Sequence, residues 1–170
     1  MDARLDGTEF QLYLLRHAHA GNAANWTGAD ADRPLSARGR DQAKRLGMFL
    51  AGRGLVPDTI VSSPKLRARQ TANLVADALG VGVASDDRLA EGFELEALSA
   101  LMAGVGGTSL MLIGHDPDFS ELLATLVGAA EVPLRKGAMA RIDLALPLGP
   151  GCGVLRWLLP PELLPDTADS

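Results

Sequence analysis

Two apolar runs in this chain end in an imidazole. Leu12-Tyr13-Leu14-Leu15 runs into Arg16-His17, and Ser109-Leu110-Met111-Leu112-Ile113 runs into Gly114-His115. Between them Thr59-Ile60-Val61 runs into Ser62-Ser63-Pro64, followed by Arg67 and Arg69. An imidazole titrates near neutral pH and serves as nucleophile, general acid or general base. A guanidinium fork matches phosphate oxygens bidentately. Two imidazoles with two guanidinium groups therefore suit a polyanionic ligand, and they would stabilise charge on a phosphoryl group in transit. A lone His at a strand end is usually structural, and an Arg beside it is usually a surface pair. It is the repetition at several strand ends that favours a site. Arg67 and Arg69 lie roughly 200° apart around a helix axis, so one of them faces such a pocket. Spacing does not say which.

The elements that must position these residues alternate in kind. Residues 11–15 read as a strand buried on both faces. Residues 18–35 are rich in Gly, Ala, Asn and Asp and read as a long loop, a length usually tied to function. Ser36 is the expected N-cap of a helix to about Ala51, with Ala43, Leu46, Gly47 and Leu50 inward and Arg38, Arg40, Asp41, Lys44 and Arg45 mostly a solvated face. Ser63 as N-cap and Pro64 at the first turn predict a second helix, with Ala68, Ala72, Val75 and Leu79 inward and an end near Gly80. A short extended piece follows at 81–84, then a helix near 94–103. After the 109–113 strand comes a helix carrying Phe119, Leu122, Leu123 and Leu126. Residues 138–146 and 153–159 read as an antiparallel pair, and the tail from Pro160 as loose. Alternation of strand and helix predicts a mostly parallel sheet covered by helices. In such a sheet ligands bind beyond the carboxyl ends of the strands, where Arg16, His17 and His115 would lie.

Bulk properties narrow the function classes. The 170 residues suit one domain, 1–170, with its core at about 10–160. A net charge of −5 argues against a nucleic-acid binder with a broad basic face. The single cysteine, Cys152, excludes an intrachain disulfide and a cysteine-based metal cluster. No stretch approaches the ~18 apolar residues of a membrane span, and Met1 to Phe10 has no signal-peptide character, so a cytoplasmic protein is expected. Nothing forces an oligomer.

Three segments resemble the signature segments of the histidine phosphatase superfamily, which includes phosphoglycerate mutases and acid phosphatases. They are LYLLRHAHA at 12–20, SSPKLRARQTA at 62–72 and LIGHDPDF at 112–119. Ala18 stands where the family's Arg-His-Gly motif has Gly. DRPLSARGRDQAKRLG at 32–47, together with GAMARIDL and VLRWLLPPELL, is similar to the small SixA-type branch of phosphohistidine phosphatases. The likeness runs from about Gln11 to Leu164.

The resemblance implies a three-layer α/β/α sandwich with a mostly parallel central sheet, phosphoglycerate mutase-like. It implies His17 as the nucleophile that becomes phosphorylated. Arg16 and Arg67 would bind phosphoryl oxygens, and His115 would donate to the group. It selects Arg67 over Arg69. It implies neither cofactor nor metal, because the Arg/His cage does the electrostatic work. Larger family members use a carboxylic acid to protonate the leaving oxygen. Glu91 lies near that region in a poor local pattern, and an exposed loop carboxylate is an equal reading of it. An imidazole leaving group, with a pKa near 6.5, can depart without that help.

Three readings remain open. One is a phosphatase for phosphohistidine on a protein, for example a His-containing phosphotransfer domain. The second is a phosphatase for small phosphoesters, favoured if Glu91 points into the pocket. The third is a non-catalytic phosphate-binding module, disfavoured by the presence of both His17 and His115. His19 is expected to be a loop residue without a partner. Asp32 and Arg33 are expected to pair or to order the loop, and Asp116 to cap the following helix.

Overall fold

The computed structural model describes residues 10–166. Six strands form one sheet in the order β3-β2-β4-β1-β5-β6: β1 Phe10–Arg16, β2 Thr59–Ser62, β3 Val83–Ser85, β4 Ser109–Gly114, β5 Met139–Leu144 and β6 Gly153–Leu159. The first four in that order run parallel, and β5 and β6 continue the sheet antiparallel. Four helices cover it: α1 Ala37–Gly52, α2 Leu66–Leu79, α3 Leu95–Gly104 and α4 Asp118–Val127.

The strands bury alternate residues on opposite faces, as period-two geometry requires. Leu12, Leu14, Leu110 and Leu112 join a core with Leu98 and Leu101 of α3 and Phe119, Leu122 and Leu126 of α4. Tyr13, Leu15, Met111 and Ile113 join another with Leu46 and Leu50 of α1 and Ala68, Ala72 and Val75 of α2. This is the expected α/β/α sandwich. Helices α1 and α2 approach closely because Gly47 has no side chain; a Cβ there would come within 2.9 Å of the Ala78 Cβ.

Several boundaries differ from expectation for identifiable reasons. Ser36 caps α1, its hydroxyl accepting from Gly39 N at 3.0 Å. Ser63 does not cap α2, which begins at Leu66 after Lys65. The Ser63 hydroxyl instead accepts from Lys65 N at 3.2 Å and meets His115. The tail expected to be loose is placed as far as Asp166, and residues 167–170 lie outside the described residues. Pro161–Leu163 form a short 3-10 turn, Leu164 is buried in the α1/α2 core, and Asp166 pairs with Arg45 at 3.1 Å.

Candidate active site

Register brings the strand tips level. Arg16 at the end of β1 pairs with Gly114 at the end of β4, and Ser62 of β2 pairs with Ile113. Beyond the last pairs, His17 N donates to Gly114 O at 3.0 Å and Ser63 N donates to Ile113 O at 2.9 Å. The close approach demands glycine at 114, because a Cβ there would run into the Phe119 ring. The result is a cage at the carboxyl edge of the sheet. His17 and His115 face each other with ring centroids 5.2 Å apart. Arg67 enters from the first turn of α2 and is buried, whereas Arg69 is exposed on the other side of that helix.

The protonation state of His17 follows from its contacts. Nδ1 lies 2.8 Å from Ala18 O. A carbonyl only accepts, so Nδ1 carries the hydrogen and Nε2 keeps its lone pair. Burial is the largest of the forces pushing the His17 pKa down to about 3; the bond to Ala18 O opposes it, and His115, Arg67 and Arg16 add to it. His115 is also pushed to about 3, first by burial, then by Arg67 and Lys65. Both rings are neutral at neutral pH. His17 thus presents a bare imidazole nitrogen amid cations, the state a nucleophile needs.

The backbone after His17 is held from two helices. Ala18 N donates to Thr71 Oγ1 at 3.1 Å, and Thr71 Oγ1 donates to Arg67 O at 2.8 Å. His19 N donates to Gln42 Oε1 at 3.0 Å. No described residue other than glycine has a positive φ, so Ala18 sits on ordinary backbone and needs no glycine. His19 has a partner after all, its Nδ1 lying 2.7 Å from Ser36 Oγ.

The guanidinium groups are anchored individually. Arg16 Nη1 reaches Asp116 Oδ2 at 3.3 Å and Leu134 O at 3.1 Å. Asp116 also accepts from Ser120 N and Ser120 Oγ, so it ties the start of α4 to Arg16 rather than merely capping the helix. Arg67 Nη1 donates to Asp30 O at 2.8 Å and Nη2 to Asp30 Oδ2 at 3.0 Å. Arg33 pairs with Asp30 rather than Asp32, and its Nη1 donates to Ala20 O at 2.9 Å. These bonds give the long loop a defined path with two short 3-10 turns, Ala23–Asn25 and Asp30–Asp32.

Asp30 is the residue that the sequence reading missed. Burial pushes its carboxyl pKa up, but the bond and charge of Arg67, with Arg33, outweigh this and hold it below the usual range. Its i, i+3 spacing to Arg33 was the available signal. Glu91 lies exposed on a bend before α3, and among the described residues no hydrogen bond or ion pair links it to the cage.

Three buried nitrogens of the cage have no hydrogen-bond partner among the described residues: Arg16 Nε, Arg67 Nε and His115 Nδ1. Each can be a donor, and buried donors are seldom left unmatched. An acceptor with several oxygens would satisfy all three. No group of three His, Cys, Asp or Glu among the described residues could hold a metal.

Comparison with known proteins agrees with this geometry. The model of the histidine phosphatase superfamily (branch 1) matches residues 12–99. The chain therefore belongs to that superfamily, and its chemistry is that of a phosphatase. An uncharacterized protein of Picosynechococcus sp. is 33% identical over 171 residues, covering 88% of this chain and 99% of the relative. The phosphohistidine phosphatase SixA of Escherichia coli is 27% identical over 157 residues, covering 89% of this chain and 94% of that protein. A solved structure of the protein histidine phosphatase SixA complexed with tungstate superposes with a TM-score of 0.75 at 28% identity, covering 89% of this chain and 97% of that one. No helix among the described residues is long and apolar enough to cross a membrane.

Proposed function

We propose that the protein removes the phosphoryl group from phosphohistidine on a protein substrate, through a phosphorylated His17. The single observation that carries this reading is the His17 ring, buried, neutral and fixed with its Nε2 lone pair free beside Arg16, Arg67 and His115. In the first step Nε2 attacks phosphorus as the P–N bond to the substrate imidazole breaks. That imidazole leaves with its electron pair and takes a proton from solvent. In the second step a water oxygen attacks, the bond to Nε2 breaks, and inorganic phosphate leaves, the water proton going to solvent. Arg16 and Arg67 offset the phosphoryl charge in both steps, and His115 donates a hydrogen bond from Nδ1. No metal takes part.

The choice of phosphohistidine over an ester rests on the acid. An alkoxide leaving group needs a proton donor. Two carboxylates touch the cage: Asp30 is held ionised, and Asp116 is engaged by Arg16 and Ser120; Glu91 lies outside it. An imidazole leaving group needs no such donor. The match with SixA points the same way.

The test is phosphate release, in metal-free buffer with chelator, from a phosphohistidine-bearing protein and from a panel of small phosphomonoesters. Wild type and His17→Ala are run side by side. His17-dependent release that favours phosphohistidine supports the reading. Faster release from esters would replace it with a metabolite phosphatase, and release from neither would leave a binding module.

A further inference from the structure

Lys136 is a cation of the site that the chemistry above does not use. It lies in the turn Arg135-Lys136-Gly137 between α4 and β5, and that turn is fastened to the nucleophile's own backbone. Gly137 N donates to Arg16 O at 3.1 Å and to His17 O at 3.0 Å, while Ala138 N closes the turn onto Arg135 O at 2.9 Å. Gly137 has φ +77, and a Cβ there would press on Gln42 Oε1, the acceptor for His19 N. The turn is therefore fixed relative to His17, and the half-buried Lys136 immediately precedes the glycine that holds it there. Burial pushes its pKa down, and so do the charges of Arg16, Arg33 and Arg67.

Every other cation here has a carboxylate as ion-pair partner. Arg16 pairs with Asp116; Arg33, Lys65 and Arg67 share Asp30. Among the described residues, Lys136 has no ion-pair partner. Five cations thus face two carboxylates, a surplus of three positive charges. A phosphoryl group carries about −2 at neutral pH, which leaves one charge unmatched.

We propose that Lys136 receives a second anionic group of the substrate, a carboxylate beside the phosphorylated side chain, and so makes the site selective for phosphohistidine in an acidic segment. The inference rests on the phosphohistidine reading for the identity of the substrate, while the role of Lys136 stands on the geometry of the turn. Lysine suits the task as a mobile point charge that can follow a carboxylate held by a flexible stem.

The experiment measures kcat and KM on synthetic phosphohistidine peptides that differ only in flanking Asp or Ala. Wild type, Lys136→Met and Lys136→Arg are compared, with thermal melting to confirm folding. A parallel arm uses a phosphorylated hydroxy acid and its methyl ester. Wild type should prefer the acidic peptide by roughly tenfold in kcat/KM, mostly through KM, the scale of one charge-assisted contact. Lys136→Met should reduce that preference to below about twofold, and Lys136→Arg should retain it. A wild type indifferent to the flanking charge overturns the proposal, as does a preference that survives Lys136→Met. If only the small esters are hydrolysed, the phosphohistidine reading falls. In that case a preference for the free acid that Lys136→Met abolishes still supports the role of Lys136, and no such preference sinks it.

Discussion

The carboxylate of Asp30 lies 3.0 Å from Arg67 Nη2, and the carbonyl of the same residue accepts from Arg67 Nη1 at 2.8 Å. One loop residue thus holds both outer nitrogens of the Arg67 guanidinium, whose buried Nε has no hydrogen-bond partner among the described residues. The loop and the cage are in this way a single unit, and the charge of Asp30 competes with any oxyanion for the same cation.

Asp30→Asn should therefore tighten inhibition by phosphate and tungstate. The amide keeps the backbone contact to Arg67 and removes the charge. Because Asp30 is largely solvent-exposed, the gain should be modest, about 1 kcal/mol or fivefold in the inhibition constant. A weaker inhibition constant would show that Asp30 chiefly positions Arg67.

Ser63 Oγ lies 2.7 Å from His115 Nε2. For His115 to donate from Nδ1, the Ser63 hydroxyl must give its proton to Nε2. Ser63→Ala should lower kcat about tenfold, the worth of roughly one hydrogen bond, with little change in KM. Ser63→Thr should restore most of it. Equal kcat in Ser63→Ala would place the donor elsewhere.

The pH dependence of stability has a definite sign. His17 and His115 titrate at about 3 in the folded protein and near 6.5 when unfolded. Between these values the unfolded chain binds more protons, so stability rises with pH from about 3 to 6.5 and is lost as pH falls through that window. Each ring contributes at most about 1.4 kcal/mol per pH unit. Denaturant melts from pH 4 to 8 should show this slope, and His17→Ala should flatten it while remaining folded. A slope unchanged in His17→Ala would mean that the ring is not held neutral by the fold.

Gly39 lies where the first turn of α1 touches the loop after His17. A Cβ there would collide with His19 O. Gly39→Ala should cost about 1–3 kcal/mol despite the better helix propensity of alanine, and should lower activity by moving the His19 turn. Thermal unfolding and turnover measured together check this. Full activity at unchanged stability would contradict the tight contact.

The framework was legible because apolar strands and amphipathic helices state their period locally. Leu12 and Leu110 could be read as buried strand residues, and Leu46 and Leu50 as one helix face, without knowing their neighbours. The cage residues Arg16, His17 and His115 were legible because each ends a strand or directly follows one. Arg67 needed the family resemblance to separate it from Arg69. What stayed hidden depended on long-range contact. Asp30 meets Arg67 across 37 positions, and Asp116 meets Arg16 across 100. No local pattern shows that Lys136 lies near three arginines. Ser63 looked like a helix cap because serine followed by proline is a good one, and only the fold reveals its engagement with His115.

The central claim is that His17 Nε2 takes the phosphoryl group. The most direct test mixes the enzyme with a radiolabelled phosphohistidine protein, quenches within milliseconds, and maps the label by peptide mass spectrometry under alkaline conditions. We expect a transient, acid-labile and alkali-stable phosphoryl group on the peptide containing His17, absent in His17→Ala. Turnover without any label on that peptide, or label on His115 instead, would contradict the account.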